Sequence, residues 1–242
     1  EISACLVGSE MCIETGVEQL PYASLDGIWL YRLEVLGIYI FLLLFLYYLK
    51  TRRFRNLVVC FSCLLCLGIY HTVMRWYDRP CPSLVFYNVR GCPAIHCIAE
   101  DGTSWLNYAD TLSDKRRLQA VAANYWRRHQ LLPPIEVTAD CQNVDFCRHQ
   151  QIVFYHGCRI CMVTDNRWRN KSAASPLFIN YMYLCKGYNG RLEELTGLFS
   201  PSCILLDASL SDDRKQFFRE ECKRLHLHFI TLSEEGSVRF LL

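Results

Sequence analysis

The densest group of metal-ligating side chains is Cys158-x-x-Cys161, with Cys141, Cys147, His149 and His156 close by in sequence. Two cysteines three apart make half a zinc site, or a redox pair, where a turn brings them together. Residues 158–163 are instead an apolar stretch of strand type, and positions three apart on a strand point to opposite faces. The pair is therefore read as strand residues, and no metal or other cofactor is expected. His226 and His228 are two apart, so on a strand they share one face, and they read as a half-exposed pair before a ligand pair. Asp207, Ser209 and Ser211 would suit hydrolase chemistry. No base or oxyanion loop accompanies them, and capping of the following helix accounts for them better. No catalytic residue is assigned. The segment DNRWRNK, residues 165–171, is the one local basic stretch with an aromatic inside it. A solvated loop is the reading favoured for it; Arg167, Trp168, Arg169 and Lys171, which could touch phosphates and stack on a single-stranded base, are the DNA-contact candidates the chain offers.

The elements that must carry these residues begin with two apolar runs. Val35–Leu49 and Leu57–Met74 hold no charged residue, and Lys50, Arg52, Arg53 and Arg55 lie between them. At about 1.5 Å per residue the second run spans roughly 27 Å, near the thickness of a hydrocarbon core, and the first about 22 Å. Extending the first run back to Leu30 brings in Arg32 and Glu34, which would snorkel near the helix end. Tyr47, Tyr48, Trp76 and Tyr77 sit at the ends of the runs, where an aromatic belt belongs. The alternative is a pair of buried helices in a soluble protein, for which the chain offers little polar covering mass. A hairpin of two transmembrane helices over residues 35–76 is expected, preceded by an interfacial helix over residues 15–34. The basic loop, residues 50–56, is cytoplasmic by the positive-inside rule, so everything after Trp76 is extracytoplasmic.

Beyond the exit segment DRPCP the chain reads as one soluble domain, residues 83–242. LVFYNV, AIHCIA and SWLNYA are β-rich, with a hairpin turn at Glu100-Asp101-Gly102. A helix capped by Ser113 runs to about Gln130 and stops before Pro133-Pro134. A hairpin turning at His156-Gly157, a strand at 179–185 and a short helix over 191–199 follow. The last forty residues alternate as strand 203–207, helix 212–225, strand 228–232, a turn at 234–236 and strand 237–242. A mixed α/β sandwich fits this order. Ten of the fifteen cysteines lie after residue 80, and Cys97, Cys161 and Cys203 sit in apolar runs, where a small buried hydrophobe is the role expected.

Several of these stretches resemble the C-terminal end of the ComEC family, the inner-membrane channel for DNA uptake in bacterial competence. LPYASLDGIWLYRLEVLGIYI is similar to that family's interfacial helix and closing span, and REECKRLHLHFITLSEEGSVRFLL to its terminal helix and hairpin. VFYNVRGCPAIHCI stands where a metallo-β-lactamase-type domain opens. CRICMVTD resembles the strand that delivers a metal-bridging aspartate, which the resemblance places at Asp165. A working member needs His-x-His-x-Asp-His early in the domain to hold two metals and activate water. Residues 84–150 offer only the solitary His96, His129 and His149, the early Gly-Asp turn reads Arg90-Gly91-Cys92-Pro93, and the later His-rich loop reads Cys185-Lys186-Gly187-Tyr188. The fold class expected is thus a membrane helical hairpin followed by an α/β domain resembling a degenerate metallo-β-lactamase sandwich, with Asp165 a vestigial position. The opening EISACLVGSEMCI resembles translated read-through of a sequencing-library adapter, so residues 1–14 are set aside as a scar and the protein is expected to continue upstream.

A net charge of +2, with residues 1–82 neutral and residues 83–242 at +2, excludes capture of nucleic acid by bulk charge. The function implied by the resemblance is the tail of an inner-membrane, multi-pass channel that passes single-stranded DNA, with no catalysis in the tail. Its partners would be single-stranded DNA, the lipid bilayer, and other competence proteins or a second copy. Two alternatives stand beside it: a membrane-anchored metal hydrolase with ligands drawn from Asp165, His149, His156 and the cysteines, and a non-catalytic envelope interaction domain.

Overall fold

A computed structural model describes residues 30–108, 112–137, 139–143 and 145–242, with the side chains of 112–114 outside the description. The proposed scar and most of the interfacial helix, residues 1–29, lie outside the described residues. Two compact units divide the chain, residues 1–75 and 76–242.

The first unit is built on two long helices, α1 (Arg32–Thr51) and α2 (Phe54–Tyr77). Both carry apolar side chains on every face, and each buries only 6% of its most apolar window, the reverse of a core helix in a globule. Both are long and apolar enough to cross a membrane. The basic loop is tighter than residues 50–56. Lys50 lies in the last turn of one helix, which ends at Thr51, and Arg55 in the first turn of the next, which begins at Phe54, so only Arg52 and Arg53 are non-helical. Arg52 takes the left-handed conformation (φ 47°) and its N–H caps Tyr48 O at 2.6 Å. Residues 34, 37, 41, 44 and 48 of α1 recede from the surface at alternating spacings of three and four, which is the seam of a two-helix coil. On that seam a Cβ at Gly37 would stand 2.3 Å from Leu67 Cδ2, so the glycine permits the close approach. One turn away, Glu34 Oε1 meets His71 Nδ1 at 2.7 Å. Arg32–Glu34 thus belong to the first long helix, not to a separate interfacial one.

The second unit has two sheets and flanking helices. Strands β1 (Ser83–Phe86), β2 (Ala94–Ile98), β3 (Ser104–Tyr108) and β4 (Ile135–Glu136) join β12 (Val238–Leu241) in a five-stranded sheet of order β12-β1-β2-β3-β4. The other sheet holds β5 (Cys141–Gln142), β6 (Phe146–His149), β7 (Ile152–Tyr155), β8 (Cys158–Val163), β9 (Leu177–Leu184), β10 (Phe199–Leu206) and β11 (Phe229–Thr231) in the order β11-β10-β9-β8-β7-β6-β5. β8 to β11 are parallel and β5 to β8 antiparallel. Helix α3 (Leu112–Arg128) follows β3, α4 (Leu192–Thr196) and α5 (Asp212–Arg224) flank β10, and the short α6 (Leu232–Glu235) follows β11.

Period-two alternation sorts the side chains into three cores. Leu84, Phe86, Ile95 and Trp105 of the small sheet pack with Phe146, Tyr155, Ile160 and Tyr183 of the large one. The outer face of the large sheet, through Val163, Met182, Leu184 and Ile204, packs with Leu192, Leu195, Phe218 and Cys222 of the helices. The outer face of the small sheet, through Val85, Ile98 and Leu106, packs with Leu118 and Ala122 of α3. The layers therefore run helix, sheet, sheet, helix.

Two expectations are corrected. The last two strands do not form a hairpin: β11 edges the large sheet and β12 the small one. The expected turn at 234–236 is the end of α6, which carries the chain from one sheet to the other, with Gly236 leaving it at φ 85°.

Candidate functional site

Parallel strands end together, so the loops after β8, β9 and β10 gather along one edge of the large sheet, where ligands of such sheets bind. Asp165 follows β8 at this edge. Its carboxylate is taken by Arg167, whose Nε lies 3.0 and 2.9 Å from the two oxygens and whose Nη2 lies 2.8 Å from Oδ2. Partial burial would push Asp165 up, but the hydrogen bonds and charge of Arg167 outweigh it and hold the carboxyl below the usual range. Trp168 donates its indole N–H to Gln151 Oε1 at 2.5 Å and sets its ring edge-on to Phe199 at 5.0 Å. The Lys171 ammonium sits over the same indole, 5.2 Å from the centroid, and Arg169 pairs with Glu194 at 3.5 Å. The four residues DNRWRNK contributes are thus gathered on one loop, each with a partner inside the domain.

The next loops are fastened too. A Cβ at Gly187 would stand 2.2 Å from Thr164 O, and its φ of 119° suits glycine alone, so Lys186-Gly187-Tyr188 lies directly on the end of β8. Arg214 of α5 donates to Tyr188 O and Gly190 O at 3.2 and 3.1 Å while stacking on Phe217 and Phe218. Asp207, after β10, is fully buried. It accepts from Tyr183 Oη at 2.5 Å and from the Ser209 N–H at 2.9 Å, with the Ser209 hydroxyl also against it. Burial pushes the Asp207 carboxyl up, against the pull of Ser209 and Tyr183. This corrects the capping account. Asp207 closes its own turn, and Ser211 is the first-turn boundary of α5 without a side-chain cap.

Other sequence candidates are dispersed. Cys158 packs between the sheets and Cys161 against the helices, on opposite faces of β8 as strand geometry requires. Burial pushes the Cys161 thiol up to about 12. His156 takes the hairpin turn before β8 and Asp165 follows it, so the six residues of β8, about 20 Å of strand, separate them. The ligand set Asp165, His149, His156 and the cysteines is therefore not brought together. His149 faces Asp140 at 3.3 Å. His226 is not on a strand: it takes φ 53° in the turn after α5, and His228, just before β11, lies 3.2 Å from Cys203 Sγ. Among the described residues, no three His, Cys, Asp or Glu side chains converge to hold a metal ion.

Residues that sequence reasoning missed include a buried triad under α3. Trp126 Nε1–H donates to Tyr87 Oη at 2.8 Å, which leaves the Tyr87 hydroxyl proton for His96 Nδ1, also at 2.8 Å. His96 is fully buried and desolvation pushes it down to about 3, so it is neutral. The register could have found it: His96 faces Val85 and Leu106 on an apolar sheet face. The Glu34–His71 pair and the strap from Arg214 were also missed, and neither leaves a local sequence signature.

Compared with known proteins, residues 84–242 match the family model of the ComEC C-terminal domain. No curated protein and no solved structure matches.

Proposed function

Because the chain belongs to the ComEC family, the membrane proteins of DNA uptake in competence, we propose that residues 83–242 are a non-catalytic tail that guides single-stranded DNA at an inner-membrane channel. The observation that carries this reading is the fate of Asp165. On a metallo-β-lactamase-like scaffold this carboxylate would bridge two metals; here the Arg167 guanidinium covers both its oxygens. The residues present do not fit a two-metal centre. Asp207 is turned into Tyr183 and Ser209, His96 is sealed under α3, and the loop that would supply imidazoles offers Cys185, buried, and Lys186. The helix–sheet–sheet–helix layering supports a lactamase-like ancestry.

In this reading, the exposed cations of the 165–171 loop meet phosphates, and Lys171 and Arg169 exchange their internal partners for DNA. The pore itself is formed by other spans of the family's competence domain, with α1 and α2 beside them. The tail sits outside the cytoplasmic membrane, since the basic turn Lys50–Arg55 stays inside.

Purified full chain should bind labelled single-stranded DNA with a steep salt dependence and leave it intact in manganese or zinc. Metal-dependent cleavage with stoichiometric bound metal would overturn the reading in favour of the hydrolase. A membrane-impermeant maleimide tests the orientation: the exposed Cys81 thiol, just past α2, should react in intact cells, and labelling only after lysis would reverse the topology.

A further inference from the structure

Helix α3 lies over the small sheet, and its sequence, LSDKRRLQAVAANYWRR, carries five basic residues against the single acidic Asp114. Its inward side is fixed by Leu118 and Ala122, both fully buried, and by Trp126, bonded to Tyr87. Everything opposite faces solvent: Arg116, Arg117, Ala120, Val121, Asn124, Arg127 and Arg128 are all exposed. Arg127 lies eleven positions after Arg116, and Arg128 eleven after Arg117. Three turns of helix bring each pair back to the same side, about 16 Å apart.

Two carboxylates from outside the helix are already engaged by its own cations. Glu136 is held by Lys115 at 2.5 Å and by the Tyr108 hydroxyl at 2.8 Å. Asp78 is held by Arg128, Nε to Oδ2, at 3.3 Å. Arg116, Arg117 and Arg127 have no ion-pair partner among the described residues. Side chains between the two cationic ends are small or neutral, so an extended chain can lie along the helix without obstruction. The exposed face holds no aromatic ring, so it would grip a backbone and not bases.

We propose that this face of α3 is a second contact for single-stranded DNA, one that takes phosphates through Arg116, Arg117 and Arg127. The inference rests on the reading that the tail handles DNA. It adds a surface separate from the loop at 165–171, because α3 covers the small sheet and that loop ends a strand of the large one. DNA held by both would be gripped by backbone at α3 and by backbone and one indole at the loop.

The test uses the full chain in nanodiscs of zwitterionic lipid, with a fluorescent mixed-sequence single strand read by anisotropy from low to moderate salt. Two variants are compared with wild type: Arg116→Gln/Arg117→Gln/Arg127→Gln, and Arg169→Ala/Lys171→Ala. All three helix arginines are exposed, so the helix variant should fold, as circular dichroism will check. Losing three phosphate contacts should lower the salt slope by about 2 and weaken binding about tenfold or more at low salt. If the helix variant binds like wild type while the loop variant fails, the α3 surface is refuted and the guiding role stands. If no form binds DNA even at low salt, the guiding role falls and this surface with it. If DNA affinity is unchanged but anionic lipid protects α3 from hydrogen exchange in wild type alone, the face belongs to the membrane surface, and the proposal is wrong.

Discussion

Acidification should destabilise the tail through one residue. His96 is fully buried between α3 and the small sheet, and the triad fixes its tautomer. Trp126 donates to Tyr87, Tyr87 donates to Nδ1, and the proton therefore sits on Nε2, which has no partner among the described residues. A second proton would charge a dry site, and that desolvation pushes the imidazole down to about 3. The folded pKa is depressed below the unfolded value, so the unfolded chain binds more protons between those two values. Stability is then constant above about pH 6.5 and falls as the pH drops toward 3. At pH 5 the loss from this residue is RT ln(1 + 10^1.5), about 2 kcal/mol. His96→Gln keeps an acceptor for Tyr87 and cannot titrate. Urea unfolding of the full chain in detergent, followed by tryptophan fluorescence at pH 7 and pH 5, measures the difference. Wild type should lose about 2 kcal/mol more than the variant over that interval. Equal losses in the two proteins, or ring shifts of His96 that titrate near 6 in the folded state, would refute the reasoning.

Three further perturbations follow from the geometry. Gly187→Ala places a Cβ 2.2 Å from Thr164 O at a φ of 119°, so it should cost about 2–4 kcal/mol and expose the 186–190 loop to protease; wild-type resistance would count against the packing of that loop. His71→Leu leaves the buried Glu34 side chain with the Tyr31 N–H alone and should destabilise the hairpin by about 2 kcal/mol, while Glu34→Leu/His71→Leu recovers part of the loss, the rest being the helix cap that Glu34 gives Tyr31; a double variant no better than the single would mean the pair is not coupled. Arg167→Met frees a half-exposed carboxylate whose folded pKa is depressed, so it should cost under about 1 kcal/mol at neutral pH and nothing once the pH has fallen far enough to protonate the carboxyl in the folded protein; the Asp165 carboxyl shift in a pH titration should move up, and an unmoved titration would sever the pair.

Elements with a strong local period were legible. Val35–Leu49 and Leu57–Met74 announced α1 and α2 because neither run contains a charge, and LVFYNV, AIHCIA and SWLNYA announced β1 to β3 because β-branched and aromatic residues cluster between turn signals. His156-Gly157 gave its turn because two consecutive positive φ values, 44° and 77°, select such a dipeptide. β4 and β5 were not legible: each has two residues, and both exist only because a neighbouring strand offers its edge. The same limit hid the sheet assignment of the last strand. β12 pairs with β1 across more than 150 residues of chain, Ser83 facing Leu241, and nothing in VRFL distinguishes that partner from the adjacent β11.

The candidate site divides along the same line. That Asp165 ends a strand could be read from CRICMVTD, since it follows an apolar run and precedes a polar one. That its charge is already spent could not, because i to i+2 contacts between Asp165 and Arg167 depend on how the loop turns, and the loop turns as it does because Trp168 is drawn inward onto Phe199 and Gln151. The tryptophan that made the segment resemble a base-stacking loop therefore has a structural task of its own. Its ring edge and N–H are committed to the domain, and one face is shared with Lys171. On the proposed reading, a DNA base stacking on that face would displace the lysine, which would pass from covering the indole to pairing with the adjacent phosphate. The internal contacts hold the loop's shape, and on that reading the lysine would trade one cation contact for another. A loop whose cations were locked in buried pairs could not do this; Arg169 and Glu194, both partly exposed and 3.5 Å apart, are not so locked.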